Sequence, residues 1–207
     1  MSDEKLRELE RAFQESGSEE DGVIWLHSLL REGEVAMIEV VAAEAVQPSR
    51  IGGHFVIGPQ LLDRDVLKAV AALGRTPSVA VGLALTRLVL HETRLEDDRP
   101  ERLVRAVAAW LEDGGGKEVV AVTLSEVTSI TALDPIVNNP VLMARDCAVA
   151  LGRLVQCPKA ELLDRLILML EIGRFQPSVG GFLGSAQRAQ LAVREALAPH
   201  VQLWGTT

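Results

Sequence analysis

The chain of 207 residues carries 29 acidic and 21 basic side chains, a formal net charge of −8, and 48% hydrophobic residues. These are proportions of a folded globular chain rather than a disordered or fibrous one. Its acidity, with Lys and Arg scattered among acids, argues against a nucleic-acid partner, whose phosphates demand a clustered basic face.

No uncharged run approaches the roughly 20 residues of a membrane-spanning helix, and Met1 to Lys5 lack the apolar stretch of a signal peptide. A cytoplasmic protein with no membrane partner is expected. Abundant Ala, Leu, Val, Glu and Arg, with no Tyr, favour helices over sheets. Residues 3 to 32 read as a helical hairpin, with Leu6, Leu9 and Phe13 on one stripe and Ile24, Trp25, Leu29 and Leu30 on the other. Ser18 opens the second helix, and Asp21 three residues on is placed to reach back to the cap. A third helix is expected from Glu34 to about Val46, before Pro48. The segment Pro48 to Gly58, with Gly52, Gly53 and Gly58 around His54-Phe55-Val56-Ile57, reads as a short extended piece or buried loop and as the seam behind an N-terminal cap.

Beyond the seam, Pro59, Pro100, Pro140 and Pro177 recur at intervals of 41, 40 and 37 residues. A second break follows the first three after 18, 17 and 18 residues, at Pro77, at Lys117 behind Gly114-Gly115-Gly116, and at Pro158. A helix pair repeated about every 40 residues is the period of HEAT-type solenoids. First helices are expected from Pro59 to Leu73, Pro100 to Leu111 and Pro140 to Val155, with Leu62, Val66 and Val70 matching Leu103, Val107 and Leu111. Proline is tolerated in a first turn because the amide it lacks has no intrahelical partner, and Asp98 is placed to cap the helix behind Pro100. Second helices are expected from Pro77 to His91, Lys117 to Ile130 and Pro158 to Ile172. The run Glu118 to Leu124 is β-branched and fits a strand nearly as well as Val120, Leu124, Val127 and Thr131 fit a helix; the repeat demands a helix there. The expected fold is therefore all-α: a single domain over 1–207 with a helical-hairpin cap at 1–47, a short α-solenoid of HEAT-like pairs at 59–92, 100–131 and 140–172, and a capping helix within 177–200, from about Leu183 to Leu197.

Two stretches carry a resemblance. Leu6 to Gly33 and Leu95 to Glu112, the latter through Asp97, Asp98, Arg99, Pro100, Arg102, Ala106, Ala109, Trp110 and Leu111, resemble uncharacterised helical bacterial proteins. The second stretch is also similar to an immunity-protein family of bacterial toxin systems. The resemblance implies a bacterial protein with a binding or immunity role and no catalytic residue. Leu103 and Val104 depart from its usual smaller or polar residues.

The densest ionisable cluster is His91, Glu92, Glu96, Asp97, Asp98 and Glu101. Carboxylates beside a histidine suit a divalent metal or acid-base work, while a solvated acidic turn explains them as well. As a docking surface for a basic partner the cluster offers Glu92, Glu96, Asp97 and Glu101, and Trp204 near the C-terminal end can fold back or anchor another copy. Phe175, Val179, Phe182 and Leu183 around Gly180-Gly181 form a comparable apolar turn. His27, His54 and His200 are isolated, and the chain shows no nucleophile elbow, HExxH or Walker pattern. Gly114-Gly115-Gly116-Lys117 lacks the preceding strand of a phosphate loop. Cys147 and Cys157 match neither CxxC nor a zinc spacing. The expectation is a non-enzymatic adaptor or immunity-type inhibitor with a protein partner, specificity in the inter-helix loops and inner faces of the second helices, and no catalytic residue, cofactor or metal. A metal-dependent enzyme at the His91 cluster and a self-assembling structural component are the alternatives, and homo-oligomerisation stays open.

Overall fold

The computed structural model describes residues 3–56, 62–93, 95–131, 140–173 and 183–201. Among them the chain is all-α, without a strand. The N-terminal hairpin is α1 (Asp3–Ser16) and α2 (Glu19–Glu32), followed by α3 (Met37–Val46) and the short α4 (Arg50–Gly53). The Ser18 hydroxyl accepts the Asp21 backbone N–H at 3.1 Å, the expected cap. The Asp21 carboxylate does not reach the Ser18 backbone; it accepts the hydroxyls of Ser18 at 2.9 Å and Ser16 at 2.5 Å. Stacking of Phe13 on Trp25, ring centroids 5.5 Å apart, closes the hairpin.

Within residues 48–56, the described part of the expected seam, the chain forms a short helix at Arg50–Gly53 and then a turn at 54–56, not an extended piece. Buried Glu44 at the end of α3 accepts the Ser49 N–H at 2.9 Å and its hydroxyl at 2.6 Å. Ser49 caps α4 through the Gly52 N–H, and Ile51 is thereby pressed into a small core with Phe13, Leu26, Val35, Val40 and Ala43. The other side of α3, through Ala42, Ala45 and Val46, belongs to the main core. This Ala-rich helix is thus buried on two sides and joins the cap to the rest.

The main core is built from α5 (Arg64–Leu73), α6 (Arg75–Thr93), α7 (Arg99–Asp113), α8 (Lys117–Thr128), α9 (Pro140–Gln156), α10 (Leu162–Ile172) and α11 (Leu183–Leu197). The proline ladder holds only in part. Asp63, not Pro59, opens α5 by accepting the Asp65 N–H, and residues 57–61 lie outside those described. Pro77 sits inside the first turn of α6 rather than at its start, a short 3-10 turn separates Pro158 from α10, and Pro177 lies outside the described residues. Pro100 and Pro140 occupy first-turn positions as expected. The ambiguous run 117–128 is helical. Val120 and Val127 face inward, and the Thr123 and Thr128 hydroxyls bond back to the Val119 and Leu124 carbonyls at 2.8 and 2.7 Å.

Packing is not confined to sequential pairs. α6 touches α5, α7, α9, α10 and α11, so the first and third intervals meet directly across it. Val79, Val81, Leu83, Leu85, Val89 and Leu90 are buried along it, each worth roughly 1.5–3 kcal/mol relative to exposure. Its two buried hydroxyls are satisfied by carbonyls four residues back, Ser78 by that of Gly74 at 2.7 Å and Thr86 by that of Gly82 at 2.9 Å. Gly74, with φ +117°, makes the sharp α5–α6 turn, and Arg75 then donates to the Cys157 carbonyl behind α9 at 2.5 Å. No described helix is long and apolar enough to cross a membrane.

The closest approach on α6 is at Gly82, where an added Cβ would stand 2.6 Å from a Leu154 methyl and 3.3 Å from the Met169 sulfur. Gly82→Val is expected to cost about 2 kcal/mol, roughly 6 °C in Tm, by overpacking. Gly53→Ala, whose Cβ meets nothing within 4 Å, is expected to be neutral or stabilising by less than about 1 kcal/mol. Thermal melts followed by circular dichroism check both.

Candidate functional site

The acidic turn between α6 and α7 is laced with arginines. Asp97 receives the Arg99 guanidinium at 2.5 Å and the Arg99 backbone N–H at 3.0 Å, so Asp97, not Asp98, satisfies the start of α7. Asp98 occupies the cap position but makes no side-chain cap bond; its carboxylate lies 3.8 Å from Arg102. Arg99 also donates to the Ser129 hydroxyl at 3.1 Å and Arg102 pairs with Glu126 at 3.0 Å, bracing α7 against the end of α8. Glu92 is bound by Arg188 of α11 at 2.8 Å. Of the four acids expected to meet a basic partner, two are thus engaged within the chain, while Glu96 and Glu101 are exposed. Among the described residues no group of three or more His, Cys, Asp or Glu is placed to hold a metal, so His91 is not joined to its neighbouring acids as a ligand set. Trp204, Phe175, Val179 and Phe182 lie outside the described residues.

The other sequence candidates resolve into structural parts. His54 contacts Glu19 at 2.7 Å, tying α4 to α2, and His27 lies beside Phe55. Burial pushes the Cys147 thiol up to about 12 in spite of its Thr86 neighbour, and burial raises Cys157 too, so neither is a ready thiolate. Asp113 accepts the Gly115 N–H at 2.8 Å and puts a carboxylate at the glycine run. Trp110 and Leu111 pack against the main core, so the most distinctive residues of the Leu95–Glu112 stretch serve packing.

What the helices leave open is a groove of about 600 Å³ on α6. Its floor is one face of that helix, Ala80, Leu83, Ala84, Arg87, Leu88 and His91; its walls are Leu111 at the end of α7 and Ala192, Glu195 and Ala196 on α11. The spacing of the floor residues is that of one helical stripe. Arg87, His91 and Glu195 are exposed at its rim, and none has an ion-pair or hydrogen-bond partner among the described residues. Leu191, beside Ala192, is 55% exposed. Apart from His91 these residues were not singled out by the sequence. The available signal was Ala80, Ala84 and Leu88 at one-turn intervals beside Arg87 and His91, two of the ionisable groups in the last turns of a largely apolar helix. A second cleft of about 440 Å³ lies between α9, α10 and the end of α8, with Arg145 and Arg153 beside Leu168 and Ile172. Arg145 is turned to Asp146 and the Ile130 carbonyl.

Compared with known protein families, with curated proteins and with solved structures, the chain matches none of them.

The Arg99 guanidinium holds the Asp97 carboxyl below its ordinary 3.8. Folding therefore favours the ionised form, and the stabilisation is complete above that value and lost as pH falls through the lower folded one. Asp97→Asn is expected to be less stable than the parent at neutral pH, with the difference in Tm shrinking below about pH 4. A difference that stays constant to about pH 2 contradicts the assignment.

Proposed function

We propose that this chain is a non-enzymatic protein-binding protein of the adaptor kind, with an immunity-type inhibitor of a toxin as its narrower form. The observation that carries the reading is the open apolar groove on α6. Its half-buried Ala80, Ala84, Leu88, Leu111, Ala192 and Ala196 form a trough that another apolar surface can enter. The groove lies on one of the second helices, whose inner faces are where a helix-pair protein puts specificity. The local resemblance through Asp97 to Leu111 supports the immunity form, and a helix-pair arrangement wrapped around α6 is the form of solenoid this reading takes. Chemistry is the less supported choice. The acids near His91 are directed at Arg99, Arg102 and Arg188 instead of converging on a substrate position, and both thiols are buried.

A tagged full-length chain expressed in its native cells and cross-linked before lysis is expected to retain one protein partner near one-to-one stoichiometry. Recovery of the chain alone, or only with copies of itself, contradicts the reading.

A further inference from the structure

We infer that the groove on α6 is a seat for one helix of the partner protein, and that this helix carries a stripe of small and medium apolar side chains with a carboxylate beside it. The inference rests on the binding reading above and specifies what is bound.

The shape sets the occupant's form. The floor runs from Ala80 to His91 on one face of α6, about 16 Å or three turns at the helical rise per residue. α11 walls one side through Ala192, Glu195 and Ala196, while α7 meets the groove only at Leu111, so an occupant that lies along α6 beside α11 is rod-shaped. Ala80 and Ala84 in the floor and Ala192 and Ala196 in the wall keep these surfaces low. Another backbone can then approach to the 8 Å end of the usual interaxial range. Anchors at i, i+3 or i+4 and i+7 are what such a trough reads.

The charge at the rim sets the chemistry. Arg87 emerges from the floor and Glu195 from the α11 wall, both exposed and both without a partner among the described residues. A helix with an acid towards Arg87 and a base towards Glu195 satisfies both; reversing the two charges places like against like and is rejected. The mixed rim and the net charge of −8 disfavour an anionic lipid surface. That same charge opposes a second copy of the chain, although exposed Val119 and Val122 on α8 make a second copy an occupant to be tested.

The probe is a displayed library of 16-residue amphipathic helical peptides with varied charges beside an apolar stripe. Selected peptides are measured by fluorescence anisotropy against the full chain. Enrichment of peptides with an acid flanking the stripe is expected. Ala84→Arg, which fills the trough, should weaken them at least 50-fold. Arg87→Glu should weaken them at least 10-fold, with recovery when the peptide acid becomes Lys. Because Arg87 is exposed, Arg87→Glu keeps the test valid even if Ala84→Arg perturbs folding. Peptides indifferent to Arg87→Glu, or no helical peptide at all, overturn the inference. So does at least 10-fold tighter peptide binding by a chain ending at Val201, which makes residues 202–207 the occupant. Concentration-dependent assembly abolished by Ala84→Arg overturns it in favour of a second copy. A native partner that still co-purifies with both variants leaves the binding reading standing and removes only the groove assignment.

Discussion

Leu154 of α9 and Met169 of α10 lie against the backbone of α6 at Gly82, where a single added carbon would have to displace them. Much else depends on that contact. It lets α9 and α10 come close enough to bury Val79, Val81, Leu85 and Val89, while α7 and α11 take the flanks. A helix buried on so many sides must satisfy its own polar groups, and Ser78 and Thr86 do so by returning their hydroxyls to the preceding turn. The face left over is Ala80, Ala84, Arg87, Leu88 and His91, and its openness follows from where the five neighbours of α6 already stand.

The local chemistry of the chain was legible without coordinates because it acts over three or four residues. Ser18 caps α2, and Pro100 and Pro140 sit in first turns; the β-branched run 117–128, a helix whose valines divide between core and solvent, was ambiguous locally and was assigned from the repeat period. α11 spans Leu183–Leu197 as expected. Caps that depend on which of two adjacent acids turns inward were not legible, and Asp97 took the place expected of Asp98 because Arg99 holds it there. Nor does a 40-residue period say whether pairs touch only their neighbours. The contact of α6 with α9 spans some 60 residues, and the glycine that permits it looks in sequence like any helical glycine. The groove was hidden for a related reason: α6 is apolar nearly all round, so periodicity cannot tell which side is left uncovered.

The function proposed for the chain accordingly draws on shape more than on the acidic turn. The acidic turn drew notice in the sequence because five acids and a histidine fall within eleven residues. In the fold, Arg99, Arg102 and Arg188 convert much of that charge into braces between α7 and α8 and between α6 and α11. Exposed ion pairs of this kind contribute little each, commonly under about 1 kcal/mol.

The central claim is that α6 is the element on which the rest is packed. Amide hydrogen exchange tests it most directly, because it ranks elements by the free energy needed to open them. The account predicts that the amides from Val79 to Leu90 exchange slowest, at rates set by global unfolding, and that those of α8, buried only at Val120 and Val127, exchange well ahead of them. Exchange of α6 as fast as that of α8 would contradict the account, and with it the groove that depends on α6 being held in place.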